Sequence, residues 1–338
     1  MDSAATPGAL SSGVHTTPYA SPAELADNVL QRWMSAMRRG DFEAAWCETD
    51  RIEIHRRRSV AAGRDGRQPY HLLWDGTPFE GRDVVIRCNH GLGDTLQFLR
   101  FVPALARRAR SITTLVQPPL VGVLRDASGV GHIRDGWQDQ PLVSSRVEIE
   151  VMELAYALRI TLDKLPPPIE FRIDRLRERT GALAPHVSGK KRRIGLLWSS
   201  GDWDPTRSIP LDVLAPLGTL RDLDFFSLQQ GSAATAVTGA PFCIHPLHRH
   251  TGDIADAAAA MLALDLVITV DGMAAHLAGA LRRPAWVLLK HDADWRWLTD
   301  RCDSPWYPTM RLFRQRRPGD WQGLTYRLAE ALRELPRP

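Results

Sequence analysis

Two runs of alternating strand and helix patterns, separated by a cluster of prolines, constrain this chain more than any other feature. The first run opens at Asp83 with VVIRC, passes through the amphipathic stretch after Gly93, and continues with ITTLVQ, PPLVGVLRDA and GHIRD. It breaks off in LPPPIEFRIDRLRERTGALAPHVSGKKRR, where three consecutive prolines precede a basic, glycine-containing stretch. A second run starts at RIGLLWSS and proceeds through LDVLAPLG, LDFFSLQQ, FCIHPL, DIADAAAAMLALD, LVITV, GMAAHLAGALRR and PAWVLLK, and DWQGLTYRLAEALREL closes the chain as an amphipathic helix. Strands separated by helices of this length form parallel sheets with right-handed crossovers. The expected fold class is therefore α/β, with two Rossmann-like domains in series, over 75–175 and 190–338. Ligands of such sheets bind beyond the carboxyl ends of the strands. The loops after VVIRC, IGLLW, FFSL and LVITV are thus where function should lie.

Composition agrees. The 338 residues are 44% hydrophobic and 24% charged, enough for two cores. The formal net charge is only +4. The local basic run HRRRS, with Arg64 and Arg67 after it, has no interleaved aromatic patch and reads as a solvated helix end, so no nucleic-acid partner is expected. Cys47, Cys88, Cys243 and Cys302 are far apart, without a CxxC pair, which fits a reducing compartment and neither a zinc ribbon nor a disulfide framework. The first 20 residues, rich in Ser, Thr, Ala and Pro, read as a disordered leader and not a signal peptide. The most apolar stretch, Ala257 to Val270, is interrupted by Asp265 and falls short of the ~20 residues a membrane span needs. A soluble cytoplasmic protein is expected.

Residues 21–60 read as a helical hairpin. SPAELADNVLQRWMSAMRRG has a capping serine, a proline at the first helical position and a terminal glycine, and DFEAAWCETDRIEIHRRR follows at once. Trp33, Gly40, Phe42, Ala45 and Trp46 give it the pattern of one tetratricopeptide-type unit. A single unit cannot bury both its faces, and no second copy is found. The hairpin should pack on the next domain or on a protein partner.

Three loops carry chemistry. NHGLGDTLQF places two glycines and Asp94 at a strand-to-helix turn, but Leu96 replaces the third glycine of a dinucleotide fingerprint and the Walker A lysine is missing. The glycines permit a tight turn, and Asp94 either caps the helix or serves a reaction. In LVITVDGMAAHLAGALRR, a strand ends at Asp271 and a helix starts at Gly272; its N-terminus suits an anion such as a diphosphate. Asp271 either caps that helix or holds a ribose hydroxyl, and His276 is either a site residue or a satisfied core histidine. In GLLWSSGDWDPTRSIPLDVLAPLG, Arg207 sits before a helix opening with Pro210, suited to a bidentate phosphate contact or else paired with Asp202 or Asp204. His245, His248 and His250 have spacing that does not enforce convergence on a metal, and GxSxG and HExxH motifs are absent.

RCNHGLGDTLQFLRFVPAL, WSSGDWDPTRSIPLDVLAPL and TVDGMAAHLAGALRRPAWVLL, in this order, resemble the heptosyltransferase-like glycosyltransferases (glycosyltransferase family 9), especially the branch in which such a domain follows tetratricopeptide repeats. The similarity runs from about Trp74 to the C-terminus and includes DADWRWLTDRCDSPWYPTMRLFRQRRPGDW. The resemblance implies a GT-B arrangement, with the acceptor on the first Rossmann-like domain and a nucleotide-diphospho-sugar, ADP-heptose by analogy, on the second. It implies metal-independent, inverting transfer of a hexosyl or heptosyl group, without a cofactor, to a glycan, lipid-linked or protein acceptor. Asp94 matches the general base and Gly91, Leu92 and Gly93 form the acceptor-side loop. Donor contacts fall to Ser199, Ser200, Arg207, Gln229, Asp271, Gly272, Met273 and His276. The linker from Leu165 to Pro168 becomes a hinge. The family motif commonly reads S-V-D-T, whereas this chain has Gly272 at the threonine position. The competing expectation is a transferase-like scaffold without catalysis, whose hairpin recruits partners; an epimerase on the same fold is a third.

Overall fold

The computed structural model describes residues 22–61, 73–138, 146–187, 189–201 and 203–336. The expected leader, Arg64, Arg67 and Asp202 lie outside them.

Helices α1 (Pro22–Arg39) and α2 (Phe42–Ala61) form the hairpin. Gly40, at φ +76, ends α1, and its N–H donates to the Met37 carbonyl. This left-handed conformation costs glycine least. The Asp41 carboxylate then accepts the Ala44 N–H at 3.1 Å and caps α2.

The first sheet is built from β1 (Asp83–Arg87), β2 (Ser111–Val116), β3 (His132–Asp135) and β4 (Val147–Glu150), all parallel, in the order β3-β2-β1-β4. Between these strands and after them come α3 (Leu92–Phe98), α4 (Val102–Ala106), α5 (Pro118–Leu124) and α6 (Leu154–Ala157). The linker leads into α7 (Ile173–Leu183), which packs on α8 (Ile254–Ala263); Arg179 of α7 bonds Asp253 and Asp256 beside it. The second sheet is also parallel: β5 (Arg192–Leu197), β6 (Leu223–Ser227), β7 (Ile244–His245), β8 (Leu266–Val270), β9 (Ala285–Leu289) and β10 (Met310–Arg314), in the order β10-β9-β8-β5-β6-β7. Helix α9 (Met273–Ala280) follows β8, and α10 (Trp321–Arg333) ends the described chain. Leu211–Thr219 forms a 3-10 helix where the sequence pattern points to an ordinary α-helix. Pro216 inside it has no N–H for the i to i−4 ladder.

Each sheet reverses its strand order once. The chain leaves β1 toward β2 and β3 and returns to the other side of β1 for β4; it leaves β5 toward β6 and β7 and returns to the other side of β5 for β8. Loops diverge at such points and leave a crevice beyond the strand ends. The loops at both crevices line one cavity.

One continuous apolar core joins the hairpin, the first sheet and one face of the second, while another core fills the opposite face of the second sheet against α10. At the junction Trp33 of α1 meets Trp295 at 5.7 Å, Phe42 of α2 meets Trp306 at 5.9 Å, and Phe98 of α3 meets Trp306 at 6.0 Å. The hairpin is thus seated on both sheets' domains. Its Trp46 indole donates to the Ile160 carbonyl, and Asp50 accepts from Tyr156 and Arg159. Buried Arg100 ties the proline linker into this junction by donating to the carbonyls of Trp306 at 2.8 Å and Pro166 at 3.3 Å. No helix among the described residues is long and apolar enough to cross a membrane.

Candidate active site

The cavity has a volume of about 920 Å³ and is walled by the loop after β1, the loops after β5 and β8, and residues of α1 and of the 292–296 segment. That is at the upper end of the roughly 300–1,000 Å³ usual for small-molecule sites.

On the first-sheet side, Gly91 caps α3 in extended conformation, and its N–H donates to Asp94 Oδ2 at 2.9 Å. A Cβ at Gly91 would stand 3.0 Å from that same oxygen. Gly93 has a different task. A Cβ there would come within 2.7 Å of His276 Cδ2 and 3.3 Å of Met273 Cα, so its missing side chain lets α3 lie directly on α9. One glycine leaves room for the carboxylate; the other brings the two sheets' loops together.

Asp94 therefore caps its helix and also faces the cavity. Its other oxygen, Oδ1, accepts from Arg296 Nη2 at 2.6 Å across the junction of the two sheets. A carboxylate offers about four lone-pair sites, so two remain for a ligand.

On the second-sheet side, Asp271 does not cap α9. The cap position is Gly272, with φ 172 and no side-chain bond to the helix, so the first N–H groups of α9 receive no side-chain cap. Asp271 follows β8 directly and is buried at the cavity wall. Burial pushes its carboxyl up, Asp294 adds to this, and Trp297, Arg207 and Arg296 oppose it. Toward the neutral form, it repels an anion less than an ordinary strand-end aspartate would. A Cβ at Gly272 would touch only Ser200 Cβ, at 3.6 Å, so neither packing nor backbone demands glycine there.

The loop after β5 is held from below. Gln229 Oε1 accepts the N–H groups of Trp198 and Ser199 at 3.1 and 2.9 Å, and its Nε2 donates to the Gln230 carbonyl. This expected donor contact is largely spent as a brace between β5 and β6. Ser208 Oγ accepts the Ser200 N–H at 3.1 Å and lies 3.2 Å from Ser199 Oγ, while Ser200 Oγ is buried without a hydrogen-bond partner. The Asp204 carboxylate bonds Lys290 Nζ at 2.6 Å and the Thr206 N–H at 3.1 Å. Among the described residues Arg207 hydrogen-bonds only the Asp204 carbonyl, at 3.5 Å, and no carboxylate lies within ion-pair distance of it. Its guanidinium sits 5.6 Å from the ring centre of Trp203, which is 87% exposed at the cavity lip.

His276 is fully packed: stacked on Trp297 with ring centres 5.5 Å apart and bonded through Nδ1 to the Tyr307 hydroxyl at 3.2 Å. Burial, then Arg296, pushes its pKa down to about 3. It stays neutral and acts on the cavity through packing against Gly93. Met273 opens α9 at the same contact. His245, His248 and His250 diverge, toward Phe226, Ser227 and His186 respectively, and no group of three or more His, Cys, Asp and Glu able to hold a metal occurs among the described residues.

Sequence reasoning missed five contributors. Arg296 and Asp294 come from DADWRW, where tryptophans flanking charged residues were the available signal. Lys290 follows β9, and Met34 with Arg38 brings α1 into the cavity wall. Arg38 is fixed there by Asp292, at 2.9 Å, and by the Thr299 N–H that its carbonyl accepts at 3.1 Å.

No family model matches the chain. Protein FlbA of Caulobacter vibrioides is 24% identical over 293 residues, covering 78% of this chain and 48% of that protein, so the chain spans about half the length of that curated relative. Among solved structures, E. coli ADP-heptose lps heptosyltransferase II aligns with a TM-score of 0.55 and 13% identity over 75% of this chain and 100% of that one. The glycosyl transferase family 9 protein from Veillonella parvula gives 0.53 and 12% over 77% and 91%. The chain has the two-sheet fold of the family 9 glycosyltransferases, preceded by a helical hairpin.

Proposed function

We propose that this protein is an inverting, metal-independent glycosyltransferase that moves a sugar from a nucleoside-diphospho-sugar to a hydroxyl acceptor. The observation that carries this reading is a single cavity with two unlike walls. One presents a carboxylate with open lone pairs, Asp94. The other presents the N-terminus of α9 without a side-chain cap, together with Arg207, which forms no ion pair with a carboxylate among the described residues.

The donor's diphosphate lies against the first N–H groups of α9, where the backbone donors and helix dipole favour negative charge. Arg207 swings onto its oxygens, and Ser200 Oγ, buried beside Gly272, donates to them. Trp203 at the lip offers a flat face to the planar base. The acceptor enters over Gly91 and Leu92. Asp94 takes the proton from its hydroxyl as that oxygen attacks the anomeric carbon from the side opposite the diphosphate. The new C–O bond forms while the bond from carbon to phosphate oxygen breaks, giving inversion. The charge growing on the leaving nucleoside diphosphate meets donors already in place, the arrangement that lowers such barriers most. ADP-heptose is the donor that the heptosyltransferase neighbour points to.

Titration calorimetry with ADP, UDP, GDP and CDP tests the donor wall. At least one should bind, and Arg207→Ala should weaken it by roughly tenfold or more, as expected for a charge-assisted phosphate contact. Absence of binding by all four overturns the reading and favours a transferase-like scaffold.

A further inference from the structure

Arg296 is buried, 9% exposed, at the place where the two sheets' loops meet. Its Nη2 donates to Asp94 Oδ1 at 2.6 Å and its Nη1 to Asp294 Oδ1 at 2.8 Å, while the same Asp294 oxygen accepts the Arg296 N–H at 2.9 Å. The guanidinium is flanked by Trp295 at 4.7 Å and Phe98 at 5.6 Å, and its Nε is buried without a partner. Leaving a buried N–H unmade is costly. The side chain nonetheless adopts this pose, which satisfies two carboxylates from opposite sides of the junction. Its position is thus dictated by Asp94 and Asp294 and not by its own full satisfaction.

We infer that Arg296 is a positioning residue for the base: it fixes the Asp94 carboxylate so that the remaining lone pairs face the acceptor hydroxyl, and it ties that aim to the donor-side segment carrying Asp294. This inference rests on the proposed role of Asp94. The Gly91 N–H holds one carboxylate oxygen and Arg296 the other, so neither torsion of the side chain is free. Arg296 lines the cavity, but its Nη1 and Nη2 groups are engaged by Asp294 and Asp94. A rivet that merely held the two halves together would stabilise the fold without acting through Asp94.

A kinetic double-mutant cycle separates the two roles. The full-length chain is compared with Arg296→Lys, Asp94→Asn and the double variant, measuring kcat and donor KM, with urea unfolding as the control. Lysine keeps the charge but cannot bond two carboxylates in a fixed fork. Arg296→Lys should lower kcat by roughly tenfold or more with donor KM changed less than about threefold, and the loss should vanish when Asp94 is already Asn. Should Arg296→Lys fail to fold, Asp294→Asn replaces it and should show a smaller loss with the same non-additivity. Equal losses in both backgrounds, or unchanged kcat, overturn the positioning role while leaving Asp94 as base. Wild-type turnover by Asp94→Asn overturns the base assignment, and this inference with it.

Discussion

Gly93→Ala should destabilise the protein, although alanine is the better helix former. The added Cβ would stand 2.7 Å from His276 Cδ2 and 3.3 Å from Met273 Cα, where carbon contacts normally lie at roughly 3.5–4.0 Å. The histidine ring cannot give way easily, because Trp297 stacks on it and Tyr307 holds its Nδ1. Overpacking of this kind costs about 1–3 kcal/mol, against a gain of about 1 kcal/mol for replacing a helical glycine. Gly181 in α7 supplies the reference, since a Cβ there meets nothing within 4 Å. Gly181→Ala should gain about 0.5–1 kcal/mol, so the difference between the two variants isolates the overpacking at about 1–3 kcal/mol. Urea unfolding followed by circular dichroism measures it. Equal stability of the two variants would falsify the direct seating of α3 on α9, and with it the argument that brings Asp94 to the donor wall.

Two further outcomes follow from the same geometry. Gly272→Thr should fold within about 0.5 kcal/mol of the native chain, because its Cβ has room and its φ of 172 suits any residue. The hydroxyl it restores should tighten nucleoside diphosphate binding about tenfold in calorimetry; weaker binding would show that the ligand uses the space glycine leaves. Stability should also depend on pH from two sides. Burial pushes the Glu150 carboxyl up to about 8, so it is protonated in the folded chain, and stability is lost as pH rises from about 4.5 to about 8. Glu150→Gln should remove that loss, with an upper bound of about 5 kcal/mol at high pH. His276, held neutral, acts oppositely: stability falls as pH drops from 6.5 toward about 3. Unfolding curves from pH 4 to 9 test both, and a Glu150→Gln curve parallel to the native one would contradict the first.

The fold was legible because its signals are local. Apolar runs ending in glycine loops mark strand ends, and the proline cluster marks the passage between sheets. The location of the cavity followed from strand-end loops alone. What a residue does inside that cavity was less legible. For Asp271 the sequence left a helix cap and a ribose contact open; Gly272 takes the cap position in extended conformation and leaves the carboxylate aside. The resemblance implied a donor contact for Gln229, but nothing in the sequence recorded that its side-chain oxygen accepts two backbone N–H groups of the neighbouring strand's end. Arg296 was invisible as a partner of Asp94 because 202 residues separate them and nothing local records a contact made by two sheets folding together. The hairpin's place at the cavity had the same cause: its aromatic residues announced a buried face, while Trp295 and Trp306, which cover it, lie far downstream.

The most direct measurement is sugar transfer itself. Purified full-length protein is incubated with a nucleoside-diphospho-sugar that calorimetry shows to bind and with a panel of hydroxyl acceptors, and the anomeric configuration of the product is read by nuclear magnetic resonance. The wild-type chain should give a product inverted at the anomeric carbon, and Asp94→Asn, with unchanged donor affinity and native unfolding behaviour, should be slower by about 10²–10⁴-fold. Retention of configuration, or undiminished transfer by the Asn variant, would contradict the account.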